Sequence, residues 1–214
     1  HLSIRRQRQM CIRDSNVSLE ARLTDGSVVS GESRISRSRS RIESIALKPP
    51  HCRPLKETLD AIAQADLITL GPGSLFTSVV PNLLVDSIPA AIGASRAVKA
   101  YIVNLMWQPH ETAGFSAADH VCALLRHAPG RWLDYAVVNT RRISEAMRSK
   151  YARRQAQPVG LDLDKVEALG VRVIARDLLE ESELVRHDPQ ALAQVALELA
   201  REGRRRRLGR RIRE

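Results

Sequence analysis

Residues 65–84 read ADLITLGPGSLFTSVVPNLL, and this stretch decides the fold. Asp66–Leu70 is a short apolar run that ends in Gly71-Pro72-Gly73-Ser74. An apolar, helix-like segment follows to about Val85. That order predicts a buried strand, a tight turn and a helix, the repeating unit of a parallel sheet. The same texture extends downstream. Pro89–Ala97 reads as a helix and Ala100–Leu105 (AYIVNL) as a second buried strand. A polar loop over Met106–Gly114 leads to Ser116, which with Asp119 forms a capping-box pattern for a helix ending near His127. Tyr135–Val138 is a third strand, ending in Asn139-Thr140. Helical patterns cover Ile143–Gln155 and Asp164–Ala168, Val171–Ala175 is a fourth strand, and Gln190–Glu202 a final amphipathic helix. Asp188-Pro189 suits the start of that helix, with Asp as cap and Pro at the first helical position.

Upstream the period changes. Pro54–Ala65 is helical, but Val17, Leu19, Ala21 and Leu23 alternate with polar residues as a strand does. Asp25-Gly26 is a hairpin turn, and a second strand is expected from Ser27 to about Glu32. Arg34–Arg41 alternates Arg and Ser and reads as a solvated loop. Ile42, Ile45 and Leu47 form a third short strand, stopped by Pro49-Pro50. The fold class is therefore α/β. It has a mostly parallel sheet with helices on both faces and a β-hairpin insertion.

The chain has 214 residues, 43% hydrophobic, and a formal charge of +10. Such a balance supports a buried core and excludes global disorder. The charge invites a nucleic-acid reading, but +3 of the +10 lies in residues 1–15 and +6 in 201–214, leaving +1 for the body. Aromatics are only 3% of the chain. No stacking platform stands near the arginines, and no specific nucleic-acid partner is expected. Cys11, Cys52 and Cys122 are too scattered for a disulfide framework or a zinc ribbon. No apolar run approaches the ~18 residues of a membrane span, and a cytoplasmic protein is expected. Residues 1–15 show neither period and read as a non-native leader, 16–200 as a single domain, and 201–214 as a basic Arg-rich tail.

Ligands of open α/β sheets bind beyond the carboxyl ends of the strands. Three unusual segments fall there. The first is GPGSLFTS, whose candidates are Gly71, Pro72, Gly73, Ser74, Thr77 and Ser78, with Asn82 behind them. Glycines permit close backbone approach, and hydroxyls at a helix start suit a phosphate. An ordinary capped turn explains the same residues. It is neither a P-loop nor a G-x-G-x-x-G turn. The second is the loop after Leu105, with Asn104, Met106, Gln108, Pro109, Glu111, Thr112 and Phe115 as candidates for a base, ribose or sugar. Asp119 and His120 are further candidates there, although adjacent-residue pairs point apart and no metal is expected. The third is Asn139-Thr140, a hydrogen-bonding tip or a strand cap. No nucleophile or carboxylate couple stands out, so no catalytic residue is assigned.

Ala65–Leu84 together with YIVNLMWQPHETAGFSAADHV (Tyr101–Val121) closely resembles the YvcK family, also called gluconeogenesis factors, relatives of the phospholactate transferase CofD. The TDGSVVSGES hairpin (Thr24–Ser33) and RHDP (Arg186–Pro189) fit as well. The resemblance covers about 16–200 and implies a CofD-like, Rossmann-related fold. It implies a cytoplasmic regulator that binds UDP-sugars, notably UDP-N-acetylglucosamine, and links carbon metabolism to cell-wall synthesis and cell shape. No cofactor is then required, and regulatory protein partners are implied. The alternative is a CofD-like transferase acting with magnesium on a deazaflavin precursor, but its GPSNP-like loop is replaced here by Gly71-Pro72-Gly73-Ser74-Leu75. The family's opening glycine-rich GGTG-type turn is absent, so 16–200 resembles the last two thirds of the family domain. Such a partial sheet leaves an apolar edge and keeps a homo-oligomer open. His110 stands where the family commonly has glycine, in QPGET.

Overall fold

The computed structural model describes residues 17–38 and 40–211, with side chains to 209. The expected leader, 1–15, lies outside the described residues. Two sheets dominate. The first is antiparallel, ordered β2-β1-β3, from β1 (Ser18–Leu23), β2 (Val28–Ser30) and β3 (Ile42–Lys48). In β1, Leu19, Ala21 and Leu23 face inward, as the alternation predicts. The second strand is shorter than expected, because Glu32–Ile35 turns into helix α1 and buries Ile35. The Arg-Ser stretch therefore begins helical, not as loop.

The second sheet is parallel, ordered β4-β5-β6-β7, from β4 (Leu67–Leu70), β5 (Val98–Ile102), β6 (Tyr135–Asn139) and β7 (Arg172–Arg176). β5 starts two residues earlier and ends three residues earlier than the sequence suggests. Val103–Leu105 already belongs to the loop, and Asn104 leaves the sheet. Helices α2 (Lys56–Gln64), α3 (Val80–Leu83), α4 (Ile88–Ala94), α5 (Ala117–His127), α6 (Glu145–Ala152) and α7 (Leu163–Ala168) connect the strands. A five-residue π-turn, Leu75–Val79, precedes α3. The main core joins the two sheets through Leu19, Ile45, Leu75, Val80, Tyr101 and Leu124. Fully burying one such aliphatic side chain is worth about 1.5–3 kcal/mol.

The other face of the parallel sheet is covered by α8 (Pro189–Arg211), whose Val195 and Leu199 pack on Val98, Ala100 and Val137. This helix runs nine residues beyond the expected end. Asp188 caps its start, its Oδ1 accepting from the Gln190 and Ala191 amides. The arginines beyond Glu202 are partly structural. Arg206 binds Asp134 and Glu202 at 3.0 and 2.6 Å, and Arg207 binds Asp66 at 2.9 Å. A short hairpin, β8 (Leu179–Glu181) with β9 (Val185–His187), precedes α8 and is not apparent from periodicity. Among the described residues no single helix is long and apolar enough to cross a membrane. Cys122 is a free thiol.

Candidate functional site

The turn after β4 is shaped by Gly71, whose φ of +76° lies where side chains are disfavoured. A Cβ there would stand 3.0 Å from the Ile102 carbonyl oxygen, so β4 and β5 close together only over glycine. The turn meets the second motif through two side chains. Asn104 Nδ2 donates to the Gly73 carbonyl at 3.0 Å, and Gln108 Nε2 donates to Ser74 Oγ at 2.6 Å.

Gln108 also starts the next turn. Its carbonyl accepts from the Glu111 and Thr112 amides at 2.9 and 2.8 Å, and its amide donates to Thr112 Oγ1 at 3.0 Å. Pro109 and exposed His110 occupy that turn. Glu111 points back into the protein. Its carboxylate accepts from the Phe76 amide, Thr77 Oγ1 and Ser36 Oγ at 3.3, 3.0 and 3.3 Å. Burial pushes the Glu111 pKa up against the opposing pull of those bonds. The Thr77 hydroxyl, expected to meet a phosphate, is thus engaged by a buried carboxylate, as is the Phe76 amide.

The candidates divide into groups. Pro72, Gly73, Ser74, Asn104, Met106 and Gln108 line one cleft of about 250 Å³ beyond β4 and β5. Gly71, Ser78 and Asn82 face a different, apolar groove of about 400 Å³ beside β4, which Pro72 and Gly73 also line. Asn82 Nδ2 donates to the Ser78 carbonyl at 2.7 Å. Thr77, Glu111 and Thr112 are buried. Phe115 packs edge-on against Phe76 and His120, and its carbonyl takes the Trp107 indole N–H at 2.9 Å.

Asp119 completes the capping box with Ser116, as its spacing predicts. His120 is fully buried beside Tyr101, with Nδ1 on the Ser116 carbonyl at 2.8 Å, and burial lowers its pKa. Asn139 is a clamp: Oδ1 accepts from the Arg141 and Leu178 amides, and Nδ2 donates to the Arg141 carbonyl. Among the described residues no three His, Cys, Asp or Glu side chains converge as metal ligands.

Sequence reasoning missed the far wall of the cleft. Tyr151 from α6 and Arg186 and His187 from β9 stand there. Tyr151 Oη accepts from the Val185 amide at 3.1 Å, tying helix to hairpin. His187 Nε2 lies 3.2 Å from the Val103 carbonyl, and burial lowers its pKa. Gln108 Oε1 is buried with no hydrogen-bond partner. A buried acceptor left unpaired is costly and marks a place for a donor.

Residues 7–179 match the protein family described as 2-phospho-L-lactate transferase CofD. The chain belongs to the CofD family. Within the CofD family its relatives are named gluconeogenesis factors. The gluconeogenesis factor of Bacillus subtilis is 40% identical over 190 residues, covering 88% of this chain and 60% of that protein. A putative gluconeogenesis factor of Thermoanaerobacterium thermosulfurigenes is 42% identical, covering 86% of this chain and 58% of that protein. A crystal structure of a UPF0052 family member from Bacillus halodurans superposes with a TM-score of 0.82 at 40% identity. It covers 85% of this chain and 58% of that one. The chain thus spans about 60% of the length of these relatives.

Proposed function

We propose that this CofD-family chain is the ligand-binding part of a gluconeogenesis factor. In this reading it binds a UDP-sugar, UDP-N-acetylglucosamine in particular, and acts as a cytoplasmic regulator. It links carbon metabolism to cell-wall synthesis and cell shape through protein partners. The carrying observation is the cleft where Gly73-Ser74 and Asn104–Gln108 face Tyr151, Arg186 and His187. Tyr151 brings an aromatic side chain to the wall, which suits a base, and Arg186 is the one cation among the lining residues. Asn104 and the unpartnered Gln108 oxygen suit the hydroxyl and amide groups of an amino sugar. The cleft of about 250 Å³ is small for a whole nucleotide sugar, but a second cavity of about 440 Å³ shares Asn104 and Leu105 with it. Together they reach the usual range for ligands of this size.

Calorimetric titration with UDP-N-acetylglucosamine, UDP-glucose and UDP tests this reading. Preference for the amino sugar supports it. Equal weak heats from all three would count against sugar recognition.

The family match favours one second reading, a phospholactate-type transferase using magnesium. Assaying transfer to a deazaflavin acceptor separates the two, since turnover would replace the regulator with an enzyme.

A further inference from the structure

We infer that the cavity beyond β5 and β6 is an anion subsite that takes a phosphate group. Its volume is about 440 Å³, and its lining includes Arg141, Arg142 and Arg148 and no carboxylate. The arginines come from two places: Arg141 and Arg142 from the loop after β6, and Arg148 from helix α6. That loop is fixed, not draped. Asn139 grips Arg141 at both its amide and its carbonyl, at 3.1 and 2.8 Å, and the Thr140 amide donates to the Arg176 carbonyl at 2.8 Å.

Exposed carboxylates pair with two of the three arginines at the surface. Asp177 is 3.9 Å from Arg141, and Glu145 is 3.4 Å from Arg148 with its side chain 82% exposed. Arg142 has no ion pair among the described residues. Such exposed pairs are weak, and three arginines lining one cavity can turn to a shared anion; phosphate matches their fork geometry. Asn104 supplies a neutral amide at the opening shared with the Gln108 cleft.

The phosphate has two sources: the nucleotide sugar in the adjoining cleft, or a separate phosphorylated metabolite. The subsite itself stands on the arginines and not on the nucleotide-sugar reading.

The test titrates pyrophosphate into the chain, its Arg142→Gln/Arg148→Gln double variant and Arg201→Gln, with circular dichroism confirming that each is folded. The double variant is expected to weaken pyrophosphate binding about tenfold or more, the effect of losing charge-assisted bonds. Arg201→Gln, on an exposed position of α8 outside the cavity lining, is expected to leave it unchanged. Arg142→Lys/Arg148→Lys is expected to restore part of the loss. No pyrophosphate binding to the parent chain, or equal binding to the double variant, overturns the subsite.

Repeating the titration with UDP-N-acetylglucosamine separates the sources. Loss of that binding in the double variant assigns the phosphate to the nucleotide sugar. Retained binding, with pyrophosphate still entering the saturated protein, assigns it to a separate molecule. If the parent binds pyrophosphate through Arg142 and Arg148 but no nucleotide sugar, the subsite stands and the nucleotide-sugar reading fails.

Discussion

Thr77 Oγ1 donates to Glu111 Oε1 over 3.0 Å, joining the two long motifs inside the protein. Glu111 also accepts from the Phe76 amide and is only 5% exposed. Replacing it by alanine leaves a buried amide and a buried hydroxyl unpaired. Glu111→Ala is predicted to cost about 2–4 kcal/mol, and Glu111→Gln less, because an amide oxygen still accepts one bond. Urea midpoints at constant slope measure both. Equal stability of Glu111→Ala and the parent would contradict the assigned bonds.

Gly203 provides a sharper steric test. A Cβ at this position would collide with the Asp66 carbonyl oxygen and stand 2.8 Å from its carbon and 3.2 Å from the Val98 amide nitrogen. Helix α8 therefore crosses the start of the sheet only over glycine. Gly209, in the same helix, has nothing within 4 Å of such a Cβ. Gly→Ala in a helix is worth up to about 1 kcal/mol by propensity alone. Gly209→Ala is predicted to be neutral to stabilising by that amount. Gly203→Ala is predicted to destabilise by about 1–3 kcal/mol in spite of it. Thermal midpoints of the pair decide; the same sign for both would refute the packing.

Acid sensitivity follows from three histidines. Burial lowers the pKa of His120, His127 and His187 below the ordinary value of 6.5. His127 depends on being neutral, since Nε2 accepts from the Ile45 amide at 3.2 Å while Nδ1 lies 2.8 Å from the Ala123 carbonyl. Below 6.5 the unfolded chain takes up protons that the folded chain refuses, so stability falls with falling pH. Glu111 works the other way, because its raised pKa lets the folded state hold an extra proton above 4.5. The histidines outnumber it. Urea midpoints are predicted to drop between pH 7.5 and 5.5, and a flat or rising profile would contradict this balance.

Gln108 separates binding from folding. Its Nε2 is bonded to Ser74, but its buried Oε1 has no partner. Gln108→Ala is predicted to shift the unfolding free energy by less than about 1 kcal/mol, since one bond is lost and one unpaired acceptor is removed. Ligand affinity is predicted to fall about tenfold, which corresponds to 1.4 kcal/mol. A stability loss with unchanged affinity would make Gln108 structural only.

Much of this was legible in the sequence. The parallel strands are buried runs such as Tyr135–Val138, whose apolar continuity shows directly. The capping residues Ser116 and Asp119 act through a fixed spacing of three. Hairpin β8–β9 was not legible, because two three-residue strands carrying Glu180, Glu181 and Arg186 show no useful alternation. The extension of α8 was hidden by its arginines, which read as solvated until Asp66 and Asp134 are brought beside Arg207 and Arg206. The near wall of the cleft lay in contiguous motifs. Its far wall did not, since Tyr151 and Arg186 come from separate elements that only the tertiary fold unites. Thr77 and Glu111 show the converse: residues with binding chemistry, turned inward to hold the loops in place.

Calorimetric titration of the folded chain with UDP-N-acetylglucosamine tests whether this cleft binds a nucleotide sugar. The predicted result is saturable 1:1 heat that Arg186→Ala reduces at least about tenfold, as expected for a lost charge-assisted bond. No heat from a cooperatively folded sample, or heat unaffected by Arg186→Ala, would contradict it.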